Sequence, residues 1–253
     1  MNDYIEIKDQ YDRVTYQASS GSMTGAGLLS GVMTRVYIWM TAALCITAAA
    51  AFFTSTSPAM LSLIFGNSAA IWVLFIVEIG LVLGVSAGIT RLSPTTATLL
   101  FLLYSLVNGL TLSAIFFAYD LGTITQAFAA SALTFGAMSI FGATTKKDLT
   151  SLGGILFMAL IGLIIASVIN IFWANSTLYA IITYAGVFIF VGLTAYDTQK
   201  IKAMTSAVEE SVNSGYGDAA MPRKIAIIGA LTLYLDFINL FLYILRLFAR
   251  NRD

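Results

Sequence analysis

Beyond a polar stretch at Met1–Met33, hydrophobic and polar positions fall in long blocks: seven apolar runs separated by polar connections. The runs lie at Thr34–Thr54, Ala69–Gly88, Ala97–Ala118, Thr123–Ala143, Leu152–Trp173, Leu178–Gln199 and Ile225–Leu247. Each is about 20 residues, the length a helix needs to cross ~30 Å of hydrocarbon. In lipid the backbone must be satisfied internally, which leaves helices or a closed barrel, and barrel strands alternate every second residue. These runs do not alternate, so the pattern predicts an all-α, polytopic membrane protein with seven spanning helices. Residues 1–33, rich in Ser, Gly, Asp and Gln, read as a flexible cytoplasmic tail, and residues 34–248 as one membrane domain. The one long connection, Lys200–Lys224, carries Glu209, Glu210, Asp218 and Pro222 and reads as a polar cytoplasmic loop.

Composition agrees with the pattern. The chain is 58% hydrophobic and 10% charged, with a mean hydropathy of +0.87, outside the range of soluble domains. Thirteen basic against thirteen acidic residues leave no net charge to attract nucleic acid. The single cysteine, Cys45, lies in an apolar run and reads as a buried small hydrophobe. No cleavable signal peptide is expected, because the first apolar run follows some 30 polar residues. The distribution of charge orients the chain. Lys8, Arg13, Arg35, Arg91, Lys146, Lys147, Lys200, Lys202, Arg223 and Lys224 gather on one side of the alternating spans, while Ser55–Ser68, Tyr119–Gly122 and Ala174–Thr177 carry no Lys or Arg. The positive-inside rule therefore places the N-terminus in the cytoplasm. A full seventh crossing puts Arg246, Arg250 and Arg252 outside, against that rule; its length nonetheless predicts a full crossing.

Charge inside the spans supplies the candidate chemistry. A carboxylate at the centre of a membrane helix costs about 2.5–3.5 kcal/mol on insertion scales, and Asp197 and Asp236 both lie within apolar runs. Thr232, Asp236, Asn239, Tyr243 and Arg246 follow one another at spacings of 4, 3, 4 and 3, forming one polar seam on a helix otherwise apolar nearly all round. That helix belongs at the centre of a bundle, with its seam facing a cavity or a partner helix. The sixth and seventh spans run in opposite directions, so Asp197 and Asp236 can meet, and two carboxylates in contact share a proton and titrate as a pair. Counting residues puts Asp236 roughly 20 Å along its helix from Pro222. The meeting therefore needs either an early start to the seventh helix or a sixth that extends deeper than its apolar run. With no histidine in the chain, proton sensing near neutral pH falls to carboxylates. Arg91, at the end of the second run, is the candidate counter-charge, and Glu78, at mid-depth in the same run, a candidate cation ligand or proton carrier. Ca²⁺ takes several oxygen ligands, so Asp197 and Asp236 with Asn, Thr and carbonyl oxygens suit a weak transit site. No metal-ligand cluster, nucleophile–base pair or phosphate loop is visible; the expectation is a protein that is not an enzyme and has no cofactor.

Three stretches, Phe141–Gly162 (FGATTKKDLTSLGGILFMALIG), Gly192–Lys202 (GLTAYDTQKIK) and Ala230–Phe248 (ALTLYLDFINLFLYILRLF), resemble the Bax inhibitor-1, or transmembrane Bax-inhibitor-motif, family in its bacterial inner-membrane form. With the spans, the resemblance covers most of the chain from about residue 30. It implies two inverted three-helix layers around a central seventh helix, and a pH-dependent Ca²⁺ leak gated by a di-aspartyl pair bonded to an arginine. Carried over by motif, the pair is Asp197 and Asp236; the arginine the resemblance implies is Arg91, placed by its distance from Asn108-Gly109 in the third span. Some bacterial relatives instead regulate a membrane-bound protease. The functional expectation is thus a pH-gated passive Ca²⁺ leak, with two alternatives: a regulator that binds a membrane protease, and a proton-coupled transporter of a small solute.

Overall fold

The computed structural model describes residues 25–89, 91–213 and 220–250. Seven long helices account for most of them: Gly25–Thr56, Ser68–Gly88, Pro94–Leu112, Leu121–Thr144, Thr150–Trp173, Ser176–Asn213 and Met221–Arg250, here numbered first to seventh. All seven are long and apolar enough to cross a membrane, the third when taken with the four-residue helix Ile115–Ala118 that continues it. The turns between them are written in local chemistry. Ser57, Asn67, Ser93 and Asp120 each accept a backbone N–H from the first turn of the helix that follows, and Pro58 and Pro94 occupy first-turn positions where no N–H is needed. The fifth helix ends on Ala174 in the left-handed conformation (φ 45°), and Asn175 Oδ1 then accepts the Leu178 N–H at 2.9 Å to start the sixth.

The seventh helix packs against the first, third, fourth and sixth. Among the first three helices the third lies between the first and second, and among the next three the sixth lies between the fourth and fifth. The two triplets repeat one pattern in opposite orientation, because each contains an odd number of crossings. Of an apolar 18-residue stretch of the seventh helix, 72% is buried, against 6% of the corresponding stretch in the second and in the fifth. The core is therefore the seventh helix and what touches it, and the second and fifth helices present Leu, Ile and Phe to lipid.

Two boundaries differ from the sequence expectation. Helix begins at Gly25 rather than Thr34, so the end of the expected tail is helical; residues 1–24, where the rest of that tail falls, lie outside the described residues. The expected loop Lys200–Lys224 is mostly helix, since the sixth helix runs on to Asn213 and the seventh starts at Met221. The reason is periodicity. Ile201 and Thr205 are buried, and Met204 and Val208 pack on the core, so one face keeps its contacts after the run of apolar residues has ended. This extension removes the depth difficulty, because the sixth helix reaches past the level of Asp236.

The seventh helix runs from one end of the bundle to the other and is long and apolar enough for a full crossing. Arg246 and Arg250 line one cavity with Tyr119, Ser176 and Thr177, at the end opposite Arg35, Lys146, Lys200 and Arg223. Cysteines placed singly at Ser176 and Arg250, in a Cys45→Ser background, are expected to react with a membrane-impermeant maleimide from the same side, and a cysteine at Lys146 from the other. Labelling of the Arg250 and Lys146 positions from one side would mean that the helix turns back.

Candidate functional site: a carboxyl pair on the central helix

Two glycines bring the sixth helix close to its neighbours just before Asp197. A Cβ on Gly142 of the fourth helix would collide with the Ala195 backbone, and one on Gly153 of the fifth with the Tyr196 ring. Beyond the aspartate, Gln199 holds the fourth-to-fifth connection at two points: its Nε2 donates to the Lys147 carbonyl at 2.9 Å, and its Oε1 accepts the Leu149 N–H at 2.8 Å. Lys202 Nζ donates to the Ala143 carbonyl at 2.8 Å. Asp197 is thus fixed between close helix contacts on one side and a polar clamp on the other.

Asp236 faces it from the seventh helix. The two carboxyls are hydrogen-bonded to each other, with Asp236 buried and Asp197 half-buried. A hydrogen bond between two carboxyls needs a proton on one partner. Asp236 Oδ2 is buried with no partner among the described residues, and so is Ser139 Oγ. Ser139 lies on the buried face of the fourth helix, one turn beyond Phe135, whose ring meets that of Phe237 at 5.5 Å, and one turn before Gly142. Both orphaned oxygens thus belong to the region where the fourth, sixth and seventh helices converge.

The other face of the seventh helix carries a second polar connection. Tyr234 Oη donates to Asn108 Oδ1 at 3.0 Å and lies 2.6 Å from Thr47 Oγ1, which also donates to the Ser105 carbonyl at 2.8 Å. Asn108 in turn bonds Glu78, whose Oε1 accepts from Thr111 Oγ1 at 2.6 Å. One chain of hydrogen bonds therefore joins the first, second, third and seventh helices. Phe101 and Tyr104 pack edge-on against Tyr234, both at 5.7 Å, and keep the network dry.

The expected site residues divide between these places. Asp197 and Asp236 meet. Glu78 lies in the second network and not at the pair. Arg91 departs from its expected role: it is exposed, and among the described residues no hydrogen bond or ion pair links it to either aspartate. The cause is position, since the third helix stands between the second helix and the centre. The cation that acts on Asp197 is Lys200, one turn on, whose ammonium also lies 5.8 Å from the centre of the Tyr196 ring. Along the seam, Thr232 is half-buried, Asn239 donates to its own helix at the Leu235 carbonyl (2.8 Å), and Tyr243 stacks on Phe190 with Arg246 over its ring. Gln199, Ser139, Tyr234 and Asn108 were not singled out from sequence; Asn108, an amide inside an apolar run, was the one visible signal. No three His, Cys, Asp or Glu side chains among the described residues gather into a metal-binding group. Outside the spans, Asp148 accepts the Thr150 N–H at 2.9 Å, and the hydrogen bonds from Thr150 hold its carboxyl below the usual carboxylate range.

Residues 29–253 match the family model described as "Inhibitor of apoptosis-promoting Bax1". The chain belongs to the Bax inhibitor-1 family. Within that family it is 46% identical over 224 residues to the inner membrane protein YbhL of Escherichia coli (strain K12), covering 88% of this chain and 93% of that one. It is 41% identical over 221 residues to an uncharacterized protein of Borreliella burgdorferi, covering 87% and 92%, and 38% identical over 221 residues to the uncharacterized protein RP147 of Rickettsia prowazekii, covering 87% and 90%. The Bax inhibitor-1 match takes in both aspartates and all seven crossings.

The two clamps generate stability predictions. Tyr234→Phe leaves the Asn108 and Thr47 oxygens without their shared partner and is expected to destabilise the folded protein by about 1–3 kcal/mol. Gln199→Ala, in a half-exposed clamp, is expected to cost about 1–2 kcal/mol. Thermal unfolding in detergent checks both; a Tyr234→Phe melting curve that overlays the wild type would remove the network from the account.

Proposed function

We propose that this chain is a passive, proton-gated cation pathway, with the Asp197–Asp236 pair as its gate and Ca²⁺ as the transported ion. The observation that carries the reading is the hydrogen bond between two carboxyls within the contact of the central helix with the sixth. Sharing one proton, the pair joins the two helices. A change in its proton count alters that bond: loss of the proton brings two negative charges together, a repulsion of about 4 kcal/mol at 4 Å and an effective dielectric constant of 20. Such a difference is large enough to shift a two-state packing equilibrium by roughly three orders of magnitude. The unpartnered oxygens of Asp236 and Ser139 support the cation part of the reading, since hard cations take oxygen ligands and pass most freely where few carboxylates hold them. Lys200 beside Asp197 weakens the site's grip on a divalent ion, in keeping with transit rather than storage. The inner membrane, named for the YbhL relative, is the proposed setting.

The test is Ca²⁺ entry into liposomes that contain the purified protein, measured across roughly pH 6–8, where a shared carboxyl proton can titrate. Wild-type flux is expected to vary with pH, and Asp197→Asn flux to be flat over the same range. A mutant flux that still titrates like the wild type would refute the gate. Absence of flux at every pH would refute the pathway and favour a partner-binding regulator.

A further inference from the structure

Arg35 and Arg223 stand 188 positions apart in the chain and come from the first and seventh helices, yet both line one cavity of about 600 Å³. Both are exposed, and no acidic residue among the described ones lines the cavity. Below the arginines the walls turn apolar: Trp39 on the first helix, Leu99 and Leu102 on the third, and Ile227 on the seventh. Leu99 is 63% exposed, so this wall opens towards lipid rather than into the core. Thr95 and Thr98 lie between the charged and apolar parts. The arrangement therefore has a cationic mouth at the membrane surface and an apolar groove that descends along the bundle.

An ordinary positive-inside residue needs only a hydrated position near the headgroups. Two guanidinium groups from distant parts of the chain, converging on one cavity with no acidic lining residue among the described ones and above a lipid-facing groove, meet a more specific requirement. A guanidinium matches the fork of a phosphate oxygen pair, and it does so while holding a weaker hydration shell than an ammonium. Basic pockets between transmembrane helices are the form in which anionic headgroups are recognised. We propose that this cavity is a binding site for an anionic phospholipid, its phosphate between Arg35 and Arg223 and an acyl chain along Leu99 and Leu102. The lipid would bridge the first and seventh helices at the end where the seventh begins, and so brace the helix that carries Asp236. This site does not depend on the ion-pathway reading, and its test does not use flux.

The experiment is native mass spectrometry of the purified full-length protein with phosphatidylglycerol and phosphatidylcholine of identical acyl chains. The wild type is expected to retain phosphatidylglycerol preferentially. Arg35→Gln with Arg223→Gln should lower that retention by roughly thirtyfold, about fivefold for each arginine, whereas Lys146→Gln with Lys147→Gln, at the same end of the bundle, should leave it near the wild-type level. Each single arginine variant is measured too, with helicity checked, so that a double variant that fails to fold does not decide the matter. Equal retention of the two lipids, or equal losses in the arginine and lysine pairs, would overturn the site. An excess of glycerol 3-phosphate should not displace the lipid; displacement would show a pocket for a free phosphate and overturn the lipid assignment.

Discussion

Asp197 and Asp236 meet where the central helix packs on the sixth, and two carboxyls can hydrogen-bond only with a proton between them. Helices in lipid gain little from hydrophobic burial against each other, because lipid tails are as apolar as leucine; packing and interhelical hydrogen bonds must hold them. The seventh helix meets this need on two faces. Asp236 binds the sixth helix, and Tyr234, two residues earlier and on the other side, binds the first and third through Thr47 and Asn108. The central helix therefore links one triplet to the other, beside a direct contact of the first helix with the sixth.

The two connections are chemically unlike. The Tyr234 network consists of a phenol, a hydroxyl and an amide, with Glu78 at its far end held by Thr111 and Asn108. Its aromatic surround of Phe101 and Tyr104 is tightly packed, and a fully satisfied polar network of this kind stiffens a core. The carboxyl pair has an orphaned oxygen, a nearby lysine and a half-exposed member. One triplet is thus joined to the central helix through the Tyr234 network, and the other through the carboxyl pair and the ring contacts of Phe135 with Phe237 and Phe190 with Tyr243. The glycine contacts at Gly142 and Gly153 and the Gln199 clamp join the sixth helix to the fourth and fifth on either side of Asp197.

Much of this was legible in the order of residues. Runs of about 20 apolar residues mark membrane helices with little ambiguity, and all seven lie where those runs lie. The polar seam on the seventh run predicted its central place, and antiparallel neighbours predicted the meeting of Asp197 with Asp236. What failed to show were features carried by periodicity or by distant partners. The helical stretch from Lys200 to Asn213 is polar on average and apolar only on the face holding Ile201 and Thr205, which a count of apolar residues passes over. Arg91 was assigned by its charge, its depth and its distance from Asn108-Gly109, and none of these reveals that a third helix stands in between. Gln199 and Tyr234 act through partners 50 and 187 positions away, and nothing local distinguishes them from ordinary polar residues of a helix end or an aromatic of a core.

The central claim is that a protonated carboxyl links the sixth and seventh helices. Infrared difference spectroscopy of the protein in lipid at neutral pH, wild type against Asp236→Asn, tests it most directly, because a carboxylic acid and a carboxylate absorb in separate bands. The account predicts that the mutant loses an acid C=O band present in the wild type, and that Asp197→Asn loses the same band. A difference spectrum containing carboxylate bands alone would mean that both acids are ionised, and the link described here would not exist.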